Sequence, residues 1–325
     1  MTRVISLSIP SPEINSFNIG PVTIYFYALC IMVGIIAAAF LVNRRLTKMG
    51  AEPWVVLDLI LLTVPLGIIG ARIFHVLTHP NDYFYPGANL WEVFDIRSGG
   101  IAIFGALIGG AVGAWLGCRW RGLRFWAFAD ALAPGLLLAQ AFGRFGNYFN
   151  QELFGTPTDL PWGLEIDSTN AAWPLGLPAG TLFHPTFLYE VIWNLLGVAL
   201  LLWLTRKIAI GWGKLFGVYL IWYGAGRVVW ESIRIDPSEI FLGVRVNVWA
   251  ALLALIVGIV LIIVQNKRHT GLIPSPYVPG RGWKDAEAGV GSSHTDVEYV
   301  DTTDPSVPAT APVAESATSR DGATS

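Results

Sequence analysis

The stretch FWAFADALAPGLLLAQAFGRFGNYFNQELFG, residues 125–155, carries two messages in one run. Its first nineteen residues are apolar enough to cross about 30 Å of hydrocarbon as a helix. Its last thirteen, GRFGNYFNQELFG, crowd Arg144, Asn147, Asn150, Gln151 and Glu152 among three glycines. A membrane helix that ends in a dense polar turn sets the terms for the rest of the chain. Six further apolar stretches of spanning length lie near 22–42, 54–78, 101–118, 186–205, 212–232 and 247–265. Interior Pro65 and Pro134 are tolerated in such helices. The expected fold is an all-α integral membrane protein with seven transmembrane helices.

Composition agrees. Only 14% of the 325 residues are charged and 54% are hydrophobic, with a mean hydropathy of +0.54. Soluble domains carry about 25% charged residues. Disorder, an ordinary soluble enzyme and a nucleic-acid binder with a basic surface are thereby excluded. Cys30 and Cys118 lie in apolar stretches and offer neither a disulfide framework nor zinc spacing. No metal site and no cofactor are expected.

The charges that remain are unevenly placed. Thirteen fall in residues 266–325, a stretch rich in Pro, Ser, Thr, Gly and Asp with no periodic apolar face. It is expected to be a disordered tail beyond a membrane domain of residues 1–265. Eleven basic residues occupy alternate loops: Arg44, Arg45, Lys48, Arg119, Arg121, Arg124, Arg206, Lys207, Lys214, Lys267 and Arg268. The opposite loops hold only Arg3, Arg97, Arg144, Arg234 and Arg245. The excess predicts that the first set is cytoplasmic, the N-terminus outside and the C-terminus inside. The first apolar stretch lacks a small-residue cleavage site and is expected to stay as an anchor.

Several polar residues sit where hydrocarbon makes them costly. In the sixth span Tyr223, Arg227, Glu231 and Arg234 fall within about 80° of one another on a helical wheel. Two arginines against one glutamate leave positive charge that asks for an anion. A self-neutralising Arg–Glu pair at i, i+4 is the structural alternative. In HPTFLYE, residues 184–190, Pro185 suits a helix start, His184 precedes it and Glu190 lies about a turn and a half inside. Tyr27 and Arg72 lie toward the same outer level of spans one and two. Arginine offers a bidentate fork for phosphate or carboxylate. Asp130 is expected to be structural, with Arg124 or a neighbour's polar group as its partner. Gly105, Gly109, Gly113 and Gly117 form a stripe suited to helix packing. Converging arginines, carboxylates, a histidine and tyrosines in the outer leaflet imply a ligand with an anionic head and apolar tails, a phospholipid.

GRFGNYFNQELFG resembles the signature of the prolipoprotein diacylglyceryl transferases. HPTFLYE, YGAGRVVWESIR (223–234), GGIAIFGALIGG (99–110) and ADALAP (129–134) resemble that family's other segments, in the same order. The resemblance spans residues 18 to 265. It implies seven helices in the bacterial plasma (inner) membrane, with the site facing the outer side. It implies transfer of a diacylglyceryl group from phosphatidylglycerol to the lipobox cysteine of a preprolipoprotein signal peptide, with release of glycerol phosphate. By matching position, Arg144 and Arg227 correspond to the family's essential arginines. Asn147, Asn150, Glu152 and Gly155 complete the signature, and Tyr27 and Tyr223 match functional tyrosines. Glu231 is expected to hold Arg227, with Arg234 completing that set and Arg72 joining the lipid-binding group. Where the best-known members carry a histidine, this chain has Phe104. The base is then His184, Glu190, Glu152 or a tyrosine, with His75 and His79 as weaker candidates. Alternatively, the arginine field lowers the thiol's pKa and no base is needed. A transporter is the rival class, since intramembrane charges also mark substrate paths. An internal inverted repeat of the sort many transporters carry is not visible. A scaffold acting through its tail would leave the membrane arginines unexplained.

Overall fold

A computed structural model of the chain describes residues 8–96 and 99–282. Seven α-helices run back and forth among them: α1 Phe26–Lys48, α2 Val55–Thr78, α3 Ile103–Arg121, α4 Phe125–Phe149, α5 Thr186–Lys207, α6 Lys214–Ile233 and α7 Val246–Arg268. Six are long and apolar enough to cross a membrane. The exception is α6, whose mean hydropathy is lowered by Arg227, Glu231 and their polar neighbours. Outward faces are apolar, with Ile36, Leu61, Leu107, Leu253 and Ile256 exposed. That is the inverse of a soluble bundle and suits lipid contact.

Short turns join α1 to α2, α3 to α4 and α5 to α6 at one end, called here the basic end. Arg45, Lys48, Arg119, Arg121, Arg206, Lys207, Lys267 and Arg268 fall in the last helical turns there. Cations at helix C-termini also complement the helix dipole. Long loops join the helices at the other, site end. The expected first span at 22–42 shifts to Phe26–Lys48. Residues Val22–Tyr25 (β2) instead pair antiparallel with Ser16–Ile19 (β1). The turn between them uses Gly20 at φ +59°, and the β-branched and aromatic residues of VTIY favour a strand. Two more short pairings cap this end: β3 Leu164–Glu165 with β4 Leu182–Phe183, and β5 Ile240–Phe241 with β6 Val244–Arg245.

Close packing explains which helices adjoin. Helix α2 lies on α3, α1 on α4, α6 on α7, and α4 also meets α5 and α6. The glycine stripe of α3 faces α2. A Cβ at Gly105 would lie 2.2 Å from the Gly70 carbonyl oxygen, and one at Gly109 would lie 2.1 Å from that of Leu66. The stripe is a packing seam, as its spacing predicts.

One expectation narrows at the basic end and another changes. Of the partners expected for Asp130, the structure supplies a neighbour's polar groups and not Arg124: its carboxylate accepts the backbone N–H of Gly213 at 2.8 Å and of Phe216 at 3.0 Å, closing the start of α6. Nor does the chain leave the body at residue 266. Helix α7 continues to Arg268, and residues 269–282 turn back onto the bundle. Tyr277 is 6% exposed and its hydroxyl accepts the Glu52 N–H at 3.0 Å. The Pro276 carbonyl accepts from the Arg124 N–H, and the Val278 N–H donates to the Gly122 carbonyl. Arg124 Nε also donates to the Tyr277 carbonyl at 2.8 Å, and His269 stacks on Trp212, so a Pro-rich segment whose composition reads as solvated is held to the bundle. The remainder of the expected tail, 283–325, lies outside the described residues, as do Arg3 and Arg97.

Candidate functional site

Toward the site end, α1, α4, α5 and α6 enclose a cavity of about 540 Å³. Tyr27 of α1, Arg144 and Asn147 of α4, Glu190 of α5, and Tyr223 and Arg227 of α6 line it, with Arg234 just past α6. Helical spacing sets this convergence. Gln140, Arg144 and Asn147 stack along one face of α4, and Glu190 and Asn194 stack along one face of α5. The expected α4 ends at 143, yet the helix runs through to Phe149 and carries Arg144 and Asn147 inside the bundle.

Arg144 Nη2 lies 2.7 Å from Glu190 Oε2, an ion pair across α4 and α5. Its Nη1 donates to Asn147 Oδ1 at 3.2 Å. Asn147 Nδ2 in turn donates to Glu152 Oε1 at 2.8 Å, and Asn150 Nδ2 reaches the same oxygen at 3.3 Å. The polar turn after the helix is thus a relay that holds the Arg144 guanidinium. Gly146 lets the Tyr27 ring lie on the backbone of α4: a Cβ there would sit 2.5 Å from Tyr27 Cδ2.

The second cluster lies around the C-terminal end of α6. Glu231, 1% exposed, has Arg227 Nη2 at 3.0 Å, Arg234 Nη1 at 3.7 Å and Arg245 Nε at 2.8 Å. None of these three approaches is aligned as a hydrogen bond. Asn247 Nδ2 donates to Glu231 Oε1 at 2.9 Å. Asp236 accepts two hydrogen bonds from Arg234, at 2.7 and 2.9 Å, and one from Arg245 at 3.1 Å. Partial burial by itself raises the Asp236 carboxyl. Hydrogen bonding from Arg234 and the charges of Arg234 and Arg245 outweigh it and hold the group below its ordinary 3.8. The cavity wall itself holds Arg144, Arg227 and Arg234 against Glu190 alone, which leaves it positive.

Not every expected residue reaches the cavity. Arg72, 6% exposed, points into the loop between α2 and α3. It donates to the carbonyls of Glu92, Val93, Gly99 and Gly100 and stacks on Tyr83. Those contacts occupy its fork and make it a loop anchor. His184 contacts the Tyr189 hydroxyl at 3.2 Å, away from the lining. Gly155 packs where a Cβ would meet His184, Ile233 and Thr186. Phe104 packs against Phe74, and His75 stacks on His79. Glu231, Glu152 and Asn150 stand behind the residues they hold. Conversely, Gln140, Trp193, Asn194 and Trp230 line the cavity, and Arg245, Asp236 and Asn247 support it, without having been singled out. Asn194 and Gln140 were detectable as polar residues one turn from Glu190 and Arg144. Asp236 had no local signal, since a carboxylate in a loop after a helix is commonplace.

Fold and site together define an all-α membrane protein that holds arginines inside its bundle. A family model described as Prolipoprotein diacylglyceryl transferase matches residues 15–264. A phosphatidylglycerol–prolipoprotein diacylglyceryl transferase of Leifsonia xyli subsp. xyli is 60% identical over 304 residues, 91% of each chain. Proteins of the same name from Bifidobacterium adolescentis and, numbered 2, from Streptomyces coelicolor are 47% and 43% identical. The first alignment covers 82% of each chain, the second 84% of this chain and 86% of the relative. The chain belongs to the prolipoprotein diacylglyceryl transferase family.

Proposed function

We propose that the cavity binds phosphatidylglycerol with its phosphate between Arg144 and Arg227 and delivers the diacylglyceryl group to the lipobox cysteine of a preprolipoprotein. The observation that carries this reading is the pair of half-buried guanidiniums, Arg144 and Arg227, brought from α4 and α6 to one wall and each backed by a buried carboxylate.

The cysteine sulfur attacks the glycerol carbon that bears the phosphate ester. A C–S bond forms, the C–O bond breaks, and glycerol phosphate departs as a monoester. Going from diester to monoester adds negative charge on the leaving phosphate, and guanidiniums already in place stabilise that charge without reorganising. Glu190 and Glu231 keep the two forks oriented, so little entropy is lost when phosphate arrives. The thiol, ordinarily near pKa 8.5, must also lose its proton. Glu190, Tyr27 and Tyr223 are the candidate acceptors that face the cavity. His184, Glu152, His75 and His79 are not among its lining residues, which favours the first three together with the arginine field.

The topology proposed is seven spans in a bacterial plasma membrane. The basic end is cytoplasmic, and the cavity lies toward the outer side. Its support is the crowding of Lys and Arg at one end and the packing of α6 among α4, α5 and α7. The experiment is transfer in vitro. Purified protein is given phosphatidylglycerol and a lipobox peptide, and the peptide mass is followed. Gain of one diacylglyceryl group supports the reading. No gain, under conditions where a relative is active, refutes it.

A further inference from the structure

The bundle has a second cavity, of about 690 Å³, at the basic end. It lies between α1, α4 and α5, under the α5–α6 turn and the returning segment that carries Leu272 and Ile273. Four cations line it: Arg44, Arg45 and Lys48 from α1, and Arg206 from α5. None of the four makes an ion pair among the described residues. The one acid in the wall, Asp130, already has both carboxylate oxygens occupied by the Gly213 and Phe216 N–H groups. Arg45 reaches only the Asp130 backbone oxygen, at 3.3 Å, and its buried Nε has no hydrogen-bond partner.

Basic residues that merely orient a membrane protein can spread into water. Here four of them line one concavity with Asp130 as the one carboxylate in its wall, so positive charge is left in surplus there. A ligand with several anionic oxygens would relieve that, and guanidinium forks suit phosphate. The remaining wall includes the apolar Leu41 and Leu202, which suit a glycerol or acyl portion. We infer that this basic-end cavity is a second anion site, separate from the transfer site, that binds a phosphate-bearing ligand. The source is a phospholipid headgroup or free phosphate, and the chemistry recognised is the same.

The test uses full-length protein in phosphatidylcholine nanodiscs with a trace of photoreactive phosphatidic acid. Crosslinks are mapped by peptide mass. Labelling is expected within residues 41–49 and 202–211. Replacing the three exposed cations together, Arg44→Gln, Lys48→Gln and Arg206→Gln, should weaken that labelling on the order of 100-fold. Arg206→Gln alone should weaken it about fivefold, which keeps the test open should the triple variant insert poorly. Transfer activity reports correct insertion, because none of the three touches the other cavity. Competition by unlabelled phosphatidic acid alone assigns the lipid headgroup. Competition by inorganic phosphate as well assigns the phosphate group itself. Labelling absent from both segments, or undiminished in the variants, overturns the inference.

Discussion

Glu231→Gln isolates the electrostatics of the site with almost no change in shape. The side chain is fully buried, and Asn247 can still donate to its remaining carbonyl oxygen. What disappears is the one negative charge shared by Arg227, Arg234 and Arg245 at 3.0, 3.7 and 2.8 Å. Asp236 is then the sole carboxylate in that cluster, and Arg234 already takes both its oxygens. Removing one partner of a buried ion pair costs about 3–5 kcal/mol, because the other is left uncompensated. That loss is expected in chemical denaturation of the purified protein. Arg227, released from its anchor, should also lose its aim at phosphate, and kcat/KM should fall on the order of 100-fold, a loss of about 2.7 kcal/mol in transition-state stabilisation. A stability loss below about 1 kcal/mol with near-normal turnover would refute the role assigned to Glu231.

Arg144→Lys and Arg227→Lys should each lose most activity with little loss of folded protein, since a point charge does not replace a bidentate fork; peptide lipidation by mass reads this. Gly109→Ala must push α2 from α3, because its Cβ would sit 2.1 Å from the Leu66 carbonyl oxygen. A cost of about 1–3 kcal/mol is expected from overpacking, measured by denaturation. The folded-state pKa of Asp236 is depressed, so its stabilisation is present above the unfolded carboxylate value of 3.8 and is lost as pH falls through the lower folded value. Acid should therefore loosen residues 234–245 in hydrogen exchange, and Asp236→Asn should loosen them already at neutral pH. Tyr277→Ala should destabilise the protein by about 3 kcal/mol, whereas deleting residues 284–325 should leave transfer in vitro unchanged.

Much of this protein was legible in its linear order. Long apolar runs between basic clusters locate the helices to within a few residues, because hydrocarbon forces every backbone group to pair within its own segment. The spacing of Tyr223, Arg227 and Glu231 marks a face, because a helix has one period. The Gly105–Gly117 spacing marks a seam for the same reason.

What the sequence could not decide is which side chains meet from different helices. Arg72 and Arg144 read alike, as arginines near the outer level of a span. Only the approach of Glu92, Val93, Gly99 and Gly100 to α2 gives the first to backbone carbonyls and leaves the second facing the cavity. Arg245 read as one more loop cation until the β5–β6 turn brought it back onto Glu231. Tyr277 sat in a segment whose composition spoke for solvent, yet a buried ring, backbone bonds and the Arg124 side chain hold it to the bundle. Local sequence determines helices, because their hydrogen bonds are local. The pairing of charges across helices depends on distances that exist only after the bundle has closed, so it belongs to the tertiary structure.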